Sequence, residues 1–260
     1  RQQFARHGLA PDDLRAIEGM FDPQALTIGF ARRFTTYKRA GLLFSDLHRL
    51  RRLVGDRERP LQIVLAGKAH PADKEGQELI QHIFRLSQEE KLKGRVFYVE
   101  DYDMRVGRML VQGVDVWLNT PRRPMEASGT SGMKAAMNGA LNCSIADGWW
   151  PEGFDGDNGW VIECKECPLD DDAADREDSL TLYRLLEEEI VPTFYERDEK
   201  ELPRRWIAMM KEAIATISPR FSSDRMVREY ATQAYLPLLP GADADAVPEI
   251  EPTAVVEEPG

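Results

Sequence analysis

The amino-acid sequence predicts an α/β fold, a doubly wound parallel sheet followed by trailing helices. Short apolar runs rich in β-formers alternate with segments of helical spacing between Ala25 and Ile162, the pattern of parallel strands with helices between them. The carboxyl ends of four runs carry polar or glycine-rich sequence: Arg32-Arg33, Gly67-Lys68, Glu100-Asp101-Tyr102, and Asn119 onward. Ligands bind at that edge of such sheets. A length of 260 residues with 42% hydrophobic side chains supplies core for one large domain or two small ones.

Residues 1–24 read as a helical lead-in, with Pro11-Asp12-Asp13 at a helix start. The first strand is expected over 25–31, stopping at Arg32-Arg33. A helix is expected from 37 to 54, because Leu42, Leu43, Leu47, Leu50 and Leu53 fall near helical spacing. The second strand is expected over 61–66, then a helix over 73–91, a third strand over 95–100, a helix over 103–112 and a fourth strand over 114–118. The stretch Glu126-Ala127-Ser128-Gly129-Thr130-Ser131-Gly132-Met133-Lys134 then runs into a helical segment over 133–139. A fifth strand follows over 141–146 and a short sixth over 159–162. Residues 25–170 are read as one α/β domain. From 171 to 239 only helices are expected, packing on that domain. One is marked by Leu180 to Ile190, one by Trp206 to Ile217, and a third is capped by Ser222-Ser223-Asp224 and reaches Tyr235. The tail, 240–260, lacks aromatics and periodicity and reads as disordered.

A net charge of −11 argues against nucleic-acid binding, whose footprint is a basic face. No apolar run approaches the roughly 20 residues of a membrane span. The opening Arg1-Gln2-Gln3-Phe4 has no signal-peptide character, so a cytoplasmic protein is expected. The chain does not begin with Met and reads as a piece of a longer polypeptide. Its three cysteines, Cys143, Cys164 and Cys167, fit a reducing compartment. Cys164 and Cys167 have CxxC spacing but no second pair or nearby histidines. They read as reduced thiols in a loop, and no metal is expected.

Glycines and hydroxyls before a helix suit anion binding, because the turn admits a ligand and the first helical N–H groups are unpaired. Lys134, at the far end of that stretch, is a candidate Schiff-base nucleophile. Arg32, Arg33, Lys38 and Arg39 cluster after the first strand of an acidic chain. The pattern fits phosphate binding and equally the solvated first turn of a surface helix. Gly67-Lys68-Ala69 lacks the Ser or Thr of a Walker loop, and Gly129-Thr130-Ser131-Gly132 is not a dinucleotide fingerprint. His7, His48, His70 and His82 are scattered and form no Ser-His-Asp set. Trp149-Trp150 could stack on a sugar, but packing is the expected role.

Three segments together resemble the α-glucan phosphorylases, the glycogen/starch/maltodextrin phosphorylase family, in its shorter bacterial and archaeal branch. They are Arg32-Arg33-Phe34-Thr35-Thr36-Tyr37-Lys38-Arg39, Ala66-Gly67-Lys68-Ala69, and Glu126 through Lys134 followed by Asn138-Gly139-Ala140. The likeness covers about residues 20–165. It departs from the animal pattern at Arg32, where a lysine is usual, and at Ser131-Gly132, which replaces Gly-Asn. The resemblance implies the Rossmann-like C-terminal domain of a two-domain GT-B glycosyltransferase, with its trailing helices. The reaction implied is reversible phosphorolysis of terminal α-1,4-linked glucose to α-glucose 1-phosphate with retention, and the cofactor is pyridoxal 5′-phosphate.

Carried over by position, Lys134 would hold the pyridoxal. Gly129, Thr130 and Ser131 would cradle its phosphate, with Arg32, Lys38 and Tyr102 as further neighbours. Arg33 would grip substrate phosphate. Glu126, with Ala127, Ser128 and Gly129, would bind glucose hydroxyls. Arg33, Lys38 and Lys134 would be the catalytic set. Partners implied are an α-1,4-glucan, orthophosphate, glucose 1-phosphate and the N-terminal domain of the same enzyme, without which this portion would be inactive. A homo-oligomer is compatible with the family. The alternatives are a GT-B transferase using a nucleotide-sugar donor, and a glucan-binding module without chemistry.

Overall fold

The apolar run Leu26–Ala31 forms strand β1, buried along its whole length, as a strand covered on both faces by helices must be. Leu61–Ala66 forms β2 in the same way. The remaining strands are β3 (Val96–Val99), β4 (Val116–Asn119), β5 (Leu141–Ile145) and β6 (Gly159–Ile162). All pair in parallel, in the order β3-β2-β1-β4-β5-β6. Leu26 stands opposite Leu61, and Ile28 opposite Val116. The chain winds outward from β1 to β3, returns to lay β4 beside β1, and winds outward again to β6. The winding reverses between β1 and β4, which opens a crevice beyond their carboxyl ends. The computed structural model describes residues 19–163 and 170–239.

Helices on this sheet are α1 (Leu47–Val54), α2 (Lys74–Ser87), α3 (Met104–Gly113), α4 (Thr130–Ala136), α5 (Trp150–Gly153) and α6 (Asp171–Leu185). Four of them open on an aspartate. Asp46, Asp73, Asp103 and Asp170 accept the N–H of Arg49, Gly76, Val106 and Ala173. Each thereby satisfies one of the orphan donors of a first turn. From α6 the chain passes through a π-helical segment, Leu186–Ile190, into α7 (Val191–Tyr195), and then α8 (Arg204–Arg220). The core is built from Leu26, Ile28, Phe30, Leu61, Ile63, Leu65, Trp117 and Trp150, all fully buried. Trp150 donates its indole N–H to the Trp160 carbonyl at 3.1 Å, and Trp149 is buried against it. The tryptophan pair therefore packs, as expected.

The chain divides into two compact units at Ser218/Pro219. The second unit contains α9 (Ser223–Tyr230), whose N-terminus is capped by Ser222, and a π-helical segment Ala231–Tyr235. Among the described residues no helix is long and apolar enough to cross a membrane.

Several boundaries differ from expectation. The helix expected over 37–54 is two 3₁₀ turns, Thr36–Lys38 and Ala40–Phe44, and then α1. The break falls at Arg39, which adopts a left-handed backbone and spends its side chain on tertiary partners. Helix α4 starts at Thr130, three residues before the expected Met133, because left-handed Gly129 turns the chain directly into it. The last helix passes into a π-helix after Tyr230 instead of continuing to Tyr235 in α form. The helical lead-in expected over 1–24 is not seen in its described part, since residues 19–24 form turns and bends; its residues 1–18, the Cys164–Cys167 pair and the tail at 240–260 lie outside the described residues.

Candidate functional site

The crevice between β1 and β4 is lined by the segments beyond their carboxyl ends. After β1 the chain continues through Arg32 and, in the first 3₁₀ turn, Lys38; after β4 it runs to Glu126. All three side chains are buried. Arg32 Nη1 lies 2.8 Å from Glu126 Oε2, and Lys38 Nζ donates to the same oxygen. Two cations thus share one carboxylate oxygen. Burial lowers the Arg32 guanidinium from its ordinary value, and Glu126 opposes that by holding its charge. Arg32 Nη1 is buried and contacts Glu126 without hydrogen-bond alignment, and the buried hydroxyl of Thr35 has no hydrogen-bond partner among the described residues. A buried excess of positive charge with unused donors suits an anionic ligand.

The Glu126 arm is held from β5. Asp147, just beyond that strand, accepts the Glu126 N–H and the Gly148 N–H through its two oxygens, each at 2.9 Å. The Trp149 N–H donates to the Ser128 carbonyl at 2.9 Å. Gly129 caps α4 with φ of 89° and, being glycine, brings no side chain to its first turn. A β-carbon added at Gly129 would sit 3.4 Å from Arg32 Nη2 and 3.5 Å from Glu126. The glycine-rich turn and the cation pair therefore border the same space.

Of the residues singled out in the sequence, Arg32, Lys38, Glu126 and Gly129 converge here. Tyr102 stands close enough to Arg32 for their charges to interact, and burial raises its phenol above the ordinary value while Arg32 lowers it. Ala127 and Thr130 are exposed, and Ser128 and Ser131 half-buried, along the rim. Arg33 points to solvent and has no ion pair among the described residues; Lys134 is likewise exposed on α4. Sequence reasoning missed Asp147, whose only signal was an Asp-Gly pair after a strand. It also missed Thr120, whose hydroxyl donates to the carbonyls of Lys38 and Arg39 at 3.2 Å.

Comparison with known proteins adds an independent line. The family described as carbohydrate phosphorylase matches residues 15–150. A glycogen phosphorylase from Aquifex aeolicus is 50% identical over 240 residues, 92% of this chain and 34% of that protein. A maltodextrin phosphorylase from Thermococcus litoralis is 51% identical over 85% of this chain and 26% of its own length. A glycogen phosphorylase from Mycobacterium tuberculosis is 44% identical over 96% of this chain and 30% of its own. The chain thus spans about a third of the length of the curated relatives it matches. With the cation pair, the glycine-rich turn and the strand-end placement all inside the matched residues, the chain belongs to the carbohydrate phosphorylase family.

Proposed function

We propose that this chain is the phosphate- and cofactor-holding portion of an α-glucan phosphorylase, which transfers terminal α-1,4-linked glucose to orthophosphate and releases α-glucose 1-phosphate. The observation that carries the reading is the Arg32–Glu126–Lys38 cluster, two buried cations on one carboxylate oxygen at the sheet's switch point. Such a cluster keeps a net positive charge in a low-dielectric crevice, which attracts and orients phosphate groups. The relatives' names support the substrate class.

The residues present fit pyridoxal 5′-phosphate. Arg32 keeps a buried donor that is aligned to no acceptor among the described residues, and Gly129 leaves the space that a β-carbon would fill. Lys134 would tether the cofactor, and Gly129, Thr130, Ser131, Arg32, Lys38 and Tyr102 would surround it. When bound, the cofactor supplies a phosphate group that exchanges a proton with the substrate phosphate. Arg33, exposed on the rim, would close on substrate phosphate. Both cations use Oε2 of Glu126, so Oε1 remains to accept glucose hydroxyls. A glucan-binding wall would come from the N-terminal domain of the same enzyme.

Glucose 1-phosphate formation by the intact enzyme tests this. Glu126→Gln removes the shared acceptor charge and is expected to lower kcat/KM by roughly 10²–10³-fold, as loss of one preorganised electrostatic group does. Lys134→Ala should abolish the cofactor's absorbance band in the purified protein together with activity. Phosphorolysis unaffected by either change, or turnover of UDP-glucose in its place, would refute the reading.

A further inference from the structure

Lys38 and Glu126 reach the crevice on two separate arms, and the structure shows what holds the arms together. Arg39 follows Lys38 directly and has φ of 48°, a left-handed backbone for a non-glycine residue. That conformation costs about 1–2 kcal/mol and persists only where tertiary contacts impose it. Here they do. Its Nε donates to the Thr120 carbonyl at 3.0 Å and Nη2 to the Pro121 carbonyl at 2.9 Å. Its Nη1 pairs with Asp175 at 2.6 Å and its Nη2 with Asp178 at 2.7 Å. Its side chain is only 4% exposed.

The same two aspartates grip the other arm. Asp178 gives Oδ2 to Arg39 and Oδ1 to Arg123, at 2.7 and 3.1 Å. Asp175 gives Oδ1 to Arg39 and Oδ2 to Arg122, at 2.6 and 2.8 Å. Each carboxylate therefore bridges the Lys38 arm and the Glu126 arm. Asp171, Asp175 and Asp178 lie on one face of α6, spaced as successive helical turns. Arg122 N–H also donates to the Tyr37 carbonyl at 2.7 Å, a backbone link between the arms. Helix α6 lies wholly outside the residues that the family match covers.

We propose that α6 sets the geometry of the phosphate crevice, with Asp178, Asp175 and Arg39 as positioning residues that fix the Lys38–Glu126 contact. The proposal rests on the phosphorolysis reading for its kinetic consequence, but not for its structural one. Generic packing by this helix predicts something different. Beyond α6, Glu187 in the π-helical segment pairs with Arg49 and Arg52 of α1, at 2.7 and 2.6 Å, and among the described residues makes no hydrogen bond or ion pair with either arm. A purely structural role makes Asp178 and Glu187 equivalent; positioning separates them.

The test uses the intact enzyme carrying Asp178→Asn, Arg123→Gln or Glu187→Gln. Hydrogen exchange is followed in peptides spanning 36–44 and 122–128, alongside cofactor content and phosphorolysis at varied orthophosphate. Asp178→Asn is expected to speed exchange in both segments and to raise the phosphate KM with cofactor retained. The loss in kcat/KM should approach 10²-fold, the scale of a misplacement of about 1 Å. Arg123→Gln, at a partly exposed site, should act in the same direction by a smaller factor, and Glu187→Gln should change neither readout. Unchanged exchange in folded Asp178→Asn overturns the proposal, as does faster exchange with unaltered kinetics. An equal kinetic loss from Glu187→Gln also overturns it. Should Asp178→Asn fail to fold, Arg123→Gln decides by the same criteria. If the unsubstituted enzyme shows no phosphorolysis, the functional reading fails, and exchange alone decides whether the arms are coupled.

Discussion

Glu126 owes its position to a backbone neighbour as much as to its ion pairs. Gly148, beside Asp147, has φ of 62°, and a β-carbon there would lie 2.3 Å from the Ser128 carbonyl oxygen and 2.9 Å from Glu126 Cγ. Both the conformation and the space demand glycine. Gly148→Ala is expected to destabilise the fold by about 1–3 kcal/mol, the cost of backbone strain at such a site, and to displace the Glu126 arm. A shift in the urea midpoint together with weaker orthophosphate binding would show it; an unchanged midpoint would contradict the strain. At this scale the sequence shows residue types better than orientations. Four basic residues sit after β1, yet the structure buries Arg32, Lys38 and Arg39 and leaves Arg33 in solvent. Adjacent residues in an irregular turn face different ways, and no periodicity tells which.

At the level of elements, the strands were readable because each is a short, mostly apolar run between polar ends, with at most two polar side chains such as Asn142 and Ser144 in β5. The segment from 37 to 54 was not. Its leucines mimic helical spacing, but the backbone at Arg39 is set by Asp175 and Asp178, more than 130 residues away. Local pattern cannot reveal a break that distant charges impose. The central strands carry a further charge at their amino ends. Asp115, just before β4, accepts the Thr27 N–H at 2.8 Å and returns its own N–H to the Thr27 carbonyl at 2.9 Å. Burial pushes its carboxyl up to about 6, from an ordinary 3.8, although the Thr27 bond pulls the other way. Between those values the folded chain holds a proton that the unfolded chain has released. The stabilisation is therefore complete below about pH 4 and lost as pH rises through about 6. Asp115→Asn removes that dependence while keeping an acceptor for Thr27. Its stability relative to the parent should rise by roughly 1–2 kcal/mol between about pH 3.5 and pH 8, a partial share of the 1.4 kcal/mol per pH unit that linkage allows. Urea midpoints at the two pH values measure it, and a constant difference would show that Asp115 titrates normally.

Across the whole molecule, the doubly wound architecture followed from the alternation of runs, and that architecture places the candidate site at the strand ends. The strand order did not, since several windings share one alternation and only tertiary pairing selects among them. That order has a bearing on how the chain is made. Strands β1, β2 and β3 are contiguous neighbours on one side of the sheet, whereas β1 meets β4 only after both crossovers are complete. Lys38 and its carboxylate partner are 88 residues apart. Contacts of that separation form late, after the loop-closure cost of the intervening chain has been met. During synthesis, a nascent chain that has emerged only as far as β3 presents Arg32 and Lys38 without Glu126. Both cations then remain hydrated, and the buried Arg32–Glu126–Lys38 cluster is completed as one of the last acts of folding. Pulse-labelled hydrogen exchange during refolding should show amides of β1 and β2 protected before those of β4. Simultaneous protection would mean that the two halves of the sheet condense together.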